Sequence, residues 1–254
     1  MRFDFPTKLC KVFTTFPMTF SKFPRAALAV LLAFSLIQPA SARTSPDPGQ
    51  VALAVARWLE QAHYSRKKLD DEMSAKLLKT YLESLDYNRL YFTQKDVDEF
   101  QSKYETSLDD AIFRGDLSPA REIFARYKQR VEDRIASNKK LLKKPFDFTG
   151  SRAVELNRQK APWPKDQAEA DSLWRDRVEA ELLQERLSEL KLRPPEQAVA
   201  RRYEQALRNV REMDDEDVVK TFLNALAQSY DPHSEYLSPS DMENFNIVYI
   251  DEFE

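Results

Sequence analysis

Glycine is almost missing from this chain. Among 254 residues only Gly49, Gly115 and Gly150 are glycine, against a usual share of roughly 7%. Tight β-hairpins, phosphate-cradling loops and nucleophile elbows need backbone at positive φ or in close approach to a ligand, and glycine supplies both without a steric penalty. A chain with three glycines has few places for such turns. The implied fold class is all-α. Dinucleotide and P-loop sites are excluded directly, since no GxGxxG or GxxxxGK[ST] occurs.

The N-terminal stretch reads as a leader rather than as part of the fold. Lys22 and Arg25 form a positive region, Ala26 to Ile37 is an apolar run, and Ala40-Ser41-Ala42 is an A-x-A cleavage site. Cleavage after Ala42 predicts export, with a periplasmic destination. The alternative, a retained anchor, is disfavoured because the run is short of the ~20 apolar residues a span needs. No stable membrane span is expected after signal cleavage. Met18 makes a better start than Met1, because it gives a signal of ordinary length. The only cysteine, Cys10, lies in this leader, so the exported chain has no thiol and no disulfide and must rely on core packing. The leader carries five of the 39 basic and one of the 42 acidic residues. The remaining 34 and 41 give a net charge of −7, which does not favour nucleic acid as a partner.

Residues 43–49 (RTSPDPG) form a polar linker, and the segment 50–246 reads as helix after helix. Val51, Val55, Trp58 and Leu59 recur at helical spacing. Asp70 caps a second helix with Met73, Leu77, Tyr81, Leu82 and Leu85 on one face. Tyr87, Tyr91 and Phe92 in the next loop are expected to plug the core. Thr93 caps a third helix that runs through Val97, Phe100, Tyr104, Leu108 and Ala111 to Gly115, a C-terminal glycine. Ser118-Pro119 opens a fourth, with Phe124, Tyr127, Val131, Ile135 and Leu142 inward, packed antiparallel on the third. Lys144 to Lys165 is irregular. Either Ser151 to Gln159 is a short helix or the segment is an exposed arm, with Phe146, Phe148 and Trp163 tucked into the core edge or facing a partner. Helices carrying Leu173, Trp174, Val178, Leu182 and Leu190, then Pro195 to Glu212, then Val218 to Leu226 behind Asp214, complete an irregular bundle of about seven helices. No 34-residue repeat supports a TPR array.

No constellation in this body carries catalysis, a cofactor or a metal. Histidine is limited to His63 and His233, and no HExxH spacing occurs. His63 reads as a surface residue, and the His233 ring as a partner for turn backbone. The acids Asp70-Asp71-Glu72, Asp109-Asp110 and Asp214-Asp215-Glu216-Asp217 sit at helix starts, where they complement the dipole. Lysines in Asn138 to Lys144 suit a helix C-terminus for the same reason. Ser234 lies beside His233, but neighbours in extended backbone point to opposite sides. No glycine-rich turn is present to build an oxyanion hole.

The helical pattern breaks at Ser229-Tyr-Asp-Pro-His-Ser-Glu-Tyr-Leu-Ser-Pro-Ser-Asp241. Asp231-Pro232 ends one helix, and Ser238-Pro239 starts another with Ser238 as N-cap and Asp241 three residues on. This string, with Phe222 to Tyr230 before it and Met242 to Ile247 after it, resembles the segment ahead of the PDZ domain in C-terminal-processing (tail-specific) serine peptidases. Far upstream, Leu85-Asp-Tyr-Asn-Arg-Leu-Tyr-Phe-Thr-Gln-Lys-Asp-Val-Asp-Glu-Phe100 resembles the N-terminal helical domain of the bacterial members. The resemblance covers about Pro48 to Ile247 and implies the non-catalytic N-terminal part of a periplasmic serine endopeptidase. Its partners would be protein substrates and an adaptor protein. The family's serine and lysine dyad lies beyond the PDZ module, so it is carried over onto no residue here: catalytic, cofactor-binding and metal residues are none. Residues 247–254 depart from the family where PDZ would begin. The chain alone is therefore expected to be inactive and association-prone, through an uncovered patch of Tyr230, Tyr236, Leu237, Met242 and Phe245. The competing reading is a stand-alone exported helical binding or adaptor module.

Overall fold

The computed structural model describes residues 47–151, 153–189 and 193–243. The leader, the Met18 start, the cleavage site, Leu190, Phe245 and the tail 247–254 lie outside the described residues. Within them the fold is all-α, with eight helices and no strand. They are α1 (Pro48–Ala62), α2 (Asp71–Leu85), α3 (Gln94–Tyr104), α4 (Leu108–Phe113), α5 (Ser118–Leu141), α6 (Gln167–Leu187), α7 (Pro195–Glu212) and α8 (Asp215–Tyr230).

Local chemistry fixes most of the boundaries. Asp70, Asp166 and Asp214 each accept a backbone N–H from the first turn of α2, α6 and α8. Thr93 and Asp96 form a reciprocal capping box at α3. Gly115 ends α4 at φ +71. Its N–H reaches the Ile112 carbonyl and the Asp116 N–H the Ala111 carbonyl, the pairing of a Schellman motif. Ser118 is not a cap: Leu117 holds that place, and the Ser118 N–H bonds Asp116 Oδ1 at 2.9 Å.

Eight helices replace the seven expected because the span from Thr93 to Gly115 is two helices. The buried Ser74 hydroxyl of α2 enters the break, donating to the Tyr104 carbonyl (3.3 Å) and accepting the Leu108 N–H (2.9 Å). A polar side chain from another helix thus satisfies backbone groups that a continuous helix would pair internally. The antiparallel hairpin survives for α3 against α5. Asp96 pairs with Arg130, Glu99 with Arg126 and Lys103 with Glu122, in descending order along α5.

On α1 the inward face is Ala52, Ala56 and Leu59, while Trp58 is 67% exposed. Small residues decide this. Gly49 lies against Gly115, where a Cβ would collide with the Gly115 carbonyl oxygen, so α1 approaches α4 more closely than a large residue allows.

The core has two parts. The first is built from α1, α2, α3, α4, the N-terminal half of α5, and α8, and includes Leu77, Tyr81, Phe92, Phe100, Ile112, Ile123 and Phe222. The second lies between the C-terminal half of α5, α6 and α7, with Val131, Ile135, Trp174, Val178, Leu182, Val199 and Tyr203. α5 spans both, and the Tyr127 ring packs against each.

Residues 144–165 hold no helix among those described. They form a strap fastened to the body. Pro164 accepts the Gln94 N–H (2.8 Å), Ala161 accepts Arg89 Nη1 (2.7 Å), and the Trp163 indole donates to Asp86 (3.2 Å). Trp163 packs on the first core, Phe146 and Phe148 on the second. All three aromatics therefore edge the core rather than face a partner. Of the loop aromatics, Phe92 is fully buried and Tyr91 joins the second core, but Tyr87 is 62% exposed.

Candidate functional site

The segment after α8 is where the sequence places function, and it is held at several points. The Asp231 carboxylate accepts the His233 N–H (3.2 Å) and the Tyr64 hydroxyl (3.2 Å), closing an Asx turn against the end of α1. The Asp231 charge pushes the Tyr64 phenol above its ordinary pKa. Asn224 of α8 accepts the Tyr236 N–H at 2.8 Å. Ser238 and Asp241 cap residues 239–243 reciprocally: the Ser238 N–H donates to Asp241 and the Asp241 N–H to the Ser238 hydroxyl. Lys220 of α8 pairs with Asp241 at 2.7 Å, and with the Ser238 bonds it holds that carboxyl at about 2. The expected rigid, polar connector is present.

The expected apolar patch is smaller among the described residues. Tyr230 is 4% exposed and belongs to the first core, and Tyr236 packs on that core. Leu237 is half-buried, and of the described members Met242, at 46%, is the most open to solvent. Alternation explains the error: Tyr230 is still in α8 and shares its inward face with Phe222, Leu223, Leu226 and Ala227.

Two serines lie beside a base in the folded chain. His63 Nε2 lies 3.3 Å from Ser234 Oγ, and its Nδ1 accepts the Ser65 N–H at 3.2 Å. Nδ1 also lies 2.8 Å from the Ser65 hydroxyl, so both ring nitrogens are engaged by serines, and which of them carries the proton depends on the tautomer. The pair ties α1 to the connector. His63 is thus half-buried and engaged, not a plain surface residue, and the sequence separation of the two residues concealed it. His233 engages the turn through its backbone N–H, not its ring. At the second serine, Lys76 Nζ donates to the backbone carbonyl of Ser229 while the buried Ser229 hydroxyl donates to the Ala225 carbonyl (2.7 Å). The lysine caps α8; it does not face the hydroxyl.

Sequence reasoning also missed the role of Asp86 and the burial of Asp96, although Asp96 was placed three residues after the Thr93 cap. Asp86, 2% exposed, accepts the N–H groups of Leu90, Tyr91 and Phe92 and the Trp163 indole. Burial pushes its carboxyl above the ordinary range, against the pull of these donors. Asp96, 1% exposed, meets Arg126 and Arg130 as well as Thr93. Burial raises its pKa, but the hydrogen bonds from Arg130, Thr93 and Arg126 outweigh that and hold it at about 2. Both residues position backbone: Asp86 joins strap to loop, and Asp96 joins α3 to α5. Three backbone donors four to six residues after Asp86 were the available signal. Among the described residues no group of three or more His, Cys, Asp or Glu could hold a metal ion, and no helix is long and apolar enough to cross a membrane.

Comparison with known proteins converges on the same segment. Residues 55–240 match the family described as the tail specific protease N-terminal domain. Over 188 residues, 74% of the chain, the sequence is 37% identical to the tail-specific protease of Haemophilus influenzae (strain ATCC 51907 / DSM 11121 / KW20 / Rd). The chain spans 27% of that relative's length.

Proposed function

Because this chain belongs to the tail-specific protease family, through the N-terminal domain matched by residues 55–240, we propose that it supplies the non-catalytic helical part of a C-terminal-processing serine endopeptidase acting in the periplasm. In this reading the helical body docks the parts of such an enzyme that bind and cut protein substrates, and the connector 231–243 sets their direction. The observation that carries it is the coincidence of the family match with the packed helical body and its tethered connector. Within that body, the serines that approach a base are engaged as hydrogen-bond partners of structure. The His63 ring is hydrogen-bonded to both Ser65 and Ser234, and Lys76 turns to a carbonyl. A family-type mechanism needs a serine facing a neutral lysine, together with donors for the oxyanion worth about 10²–10³ in rate each.

The test is the purified chain against an unfolded protein with an apolar C-terminus. No cleavage is expected. Cleavage that persists in preparations from a host lacking its own periplasmic proteases, and that Ser234→Ala abolishes, would sink this reading and install His63 and Ser234 as an active site. The genomic DNA downstream of codon 247 separates the reading from a stand-alone export-directed binding module. Glycine-containing, PDZ-like coding sequence there supports the protease; unrelated sequence supports the module.

A further inference from the structure

A groove of about 460 Å³ lies between the C-terminal half of α5 and the N-terminal half of α6. We propose that it binds the carboxylate of an acidic peptide segment. Three observations converge there. First, its floor contains Asn138, 1% exposed, whose side-chain amide nitrogen has no hydrogen-bond partner among the described residues. A buried donor left unmade is costly, and native proteins leave few of them without a reason. Second, the floor also holds Arg134, 6% exposed, whose Nη1 donates to Asp171 on the rim at 2.6 Å and whose guanidinium stands 5.9 Å from the Trp174 ring centre. Third, the rim carries Lys140, Lys144 and Arg175, and none of the three forms an ion pair with a described residue.

The helix dipole accounts for part of this charge, since lysines favour the C-terminus of α5. It does not account for Arg175, which comes from α6 well before that helix ends, nor for Asn138. Lys139, one residue before Lys140, pairs with Glu204 at 2.9 Å, whereas Lys140 and Lys144 line the groove. The chain as a whole is acidic, at −3, so a local group of cations stands against the overall charge. The recess has room for one anionic side chain with a short stretch of backbone. An extended lipid surface has no way into it. Buried Trp174 and half-buried Leu141 supply apolar walls, which suits a peptide better than a free ion.

The experiment titrates the full chain, isotope-labelled for backbone amides, with acetyl-Leu-Glu-Glu-amide and with acetyl-Leu-Gln-Gln-amide as the neutral match. Saturable shifts confined to residues 134–144 and 171–175 are expected with the acidic peptide alone. The triple substitution Lys140→Gln, Lys144→Gln, Arg175→Gln should weaken binding by about tenfold, as should high salt. Asn138→Leu, with the rim cations intact, should weaken it by about fivefold. The triple variant lies on the surface, so it decides the matter if Asn138→Leu fails to fold. Equal binding of the neutral peptide, shifts elsewhere in the bundle, or a triple variant that binds as before would overturn the proposal. So would inorganic phosphate saturating the groove as tightly as the peptide, or anionic phospholipid vesicles protecting the same amides in its place.

Discussion

The two cores of this bundle are stabilised differently. The first contains nearly all of the largest fully buried side chains, among them Tyr81, Phe92, Phe100, Phe222, Leu77 and Leu108. Its aromatic rings meet edge to face, as Tyr81 and Phe222 do at 5.2 Å. The second is smaller and edged with charge. Glu181 accepts the Tyr203 hydroxyl at 2.8 Å and pairs with Arg177 at 2.9 Å, while Arg202 pairs with Glu185. Leu183 and Leu187, on the same helix as Leu182, remain 40% and 75% exposed. Burial of apolar surface dominates folding energetics, and exposed ion pairs contribute little. The first core should therefore set global stability, and the second should open locally below it. The long helix α5, shared by both, is what keeps them in one body.

The widest separation between the cores comes from paired truncations. Phe222→Ala removes a fully buried ring from the first and should cost about 3–5 kcal/mol, felt as earlier global unfolding. Leu182→Ala in the second should cost about 2–5 kcal/mol, felt chiefly as faster hydrogen exchange in α6 and α7, with α2 and α8 protected as before. Equal loss of protection in all four helices for both variants would show that the cores are one cooperative unit.

A smaller effect distinguishes how each core treats a buried charge. Asp96 is held at about 2 in the folded chain against an ordinary 3.8. A depressed carboxyl stabilises the fold above its unfolded pKa, and that contribution is lost as pH falls through the folded value. The window is therefore pH 3.8 down to 2, and the shift corresponds to about 2 kcal/mol. Asp96→Asn should remove about that much at neutral pH and flatten the acid limb of a denaturation series. An unchanged acid limb in the variant would mean that Arg126 and Arg130 find equivalent partners in Glu99 and solvent.

Legibility followed the range of the interactions. The bounds of α7, the caps Asp70, Thr93, Asp214 and Ser238, and the Gly115 terminus were readable because each depends on residues within a few positions. The reach of Ser74 into the α3–α4 break, of Trp163 to Asp86 and of His63 to Ser234 was not, because those partners lie 34, 77 and 171 residues apart. On α1, Leu59 is in the first core and Val51 and Val55 pack on it, so Trp58 alone was misplaced, for a different reason. Periodicity weights the large Trp58, whereas the close contact of α1 with α4 needs the small Gly49. The connector was legible as polar and rigid from its two prolines, but the burial of Tyr230 depended on where α8 ends.

The finest distinction concerns one hydroxyl. Tyr203 is 7% exposed, its ring meets Trp174 edge-on at 5.9 Å, and its hydroxyl donates to Glu181. Burial, and next the Glu181 charge, push its phenol well above the ordinary value. Tyr203→Phe keeps the ring and the Trp174 contact and removes only that donor. A hydrogen bond to a charged acceptor contributes about 1.5–3 kcal/mol when it is fully buried. Glu181, however, keeps Arg177 and lies 3.9 Å from Arg202, so its carboxylate is not stranded. The expected loss is accordingly about 1 kcal/mol, and it should appear as exchange from α6 and α7 alone. If the substitution instead lowers the global midpoint as much as Leu182→Ala does, polar links rather than apolar burial hold the second core to the first. The ranking of the two cores would then have to be reversed for α6 and α7.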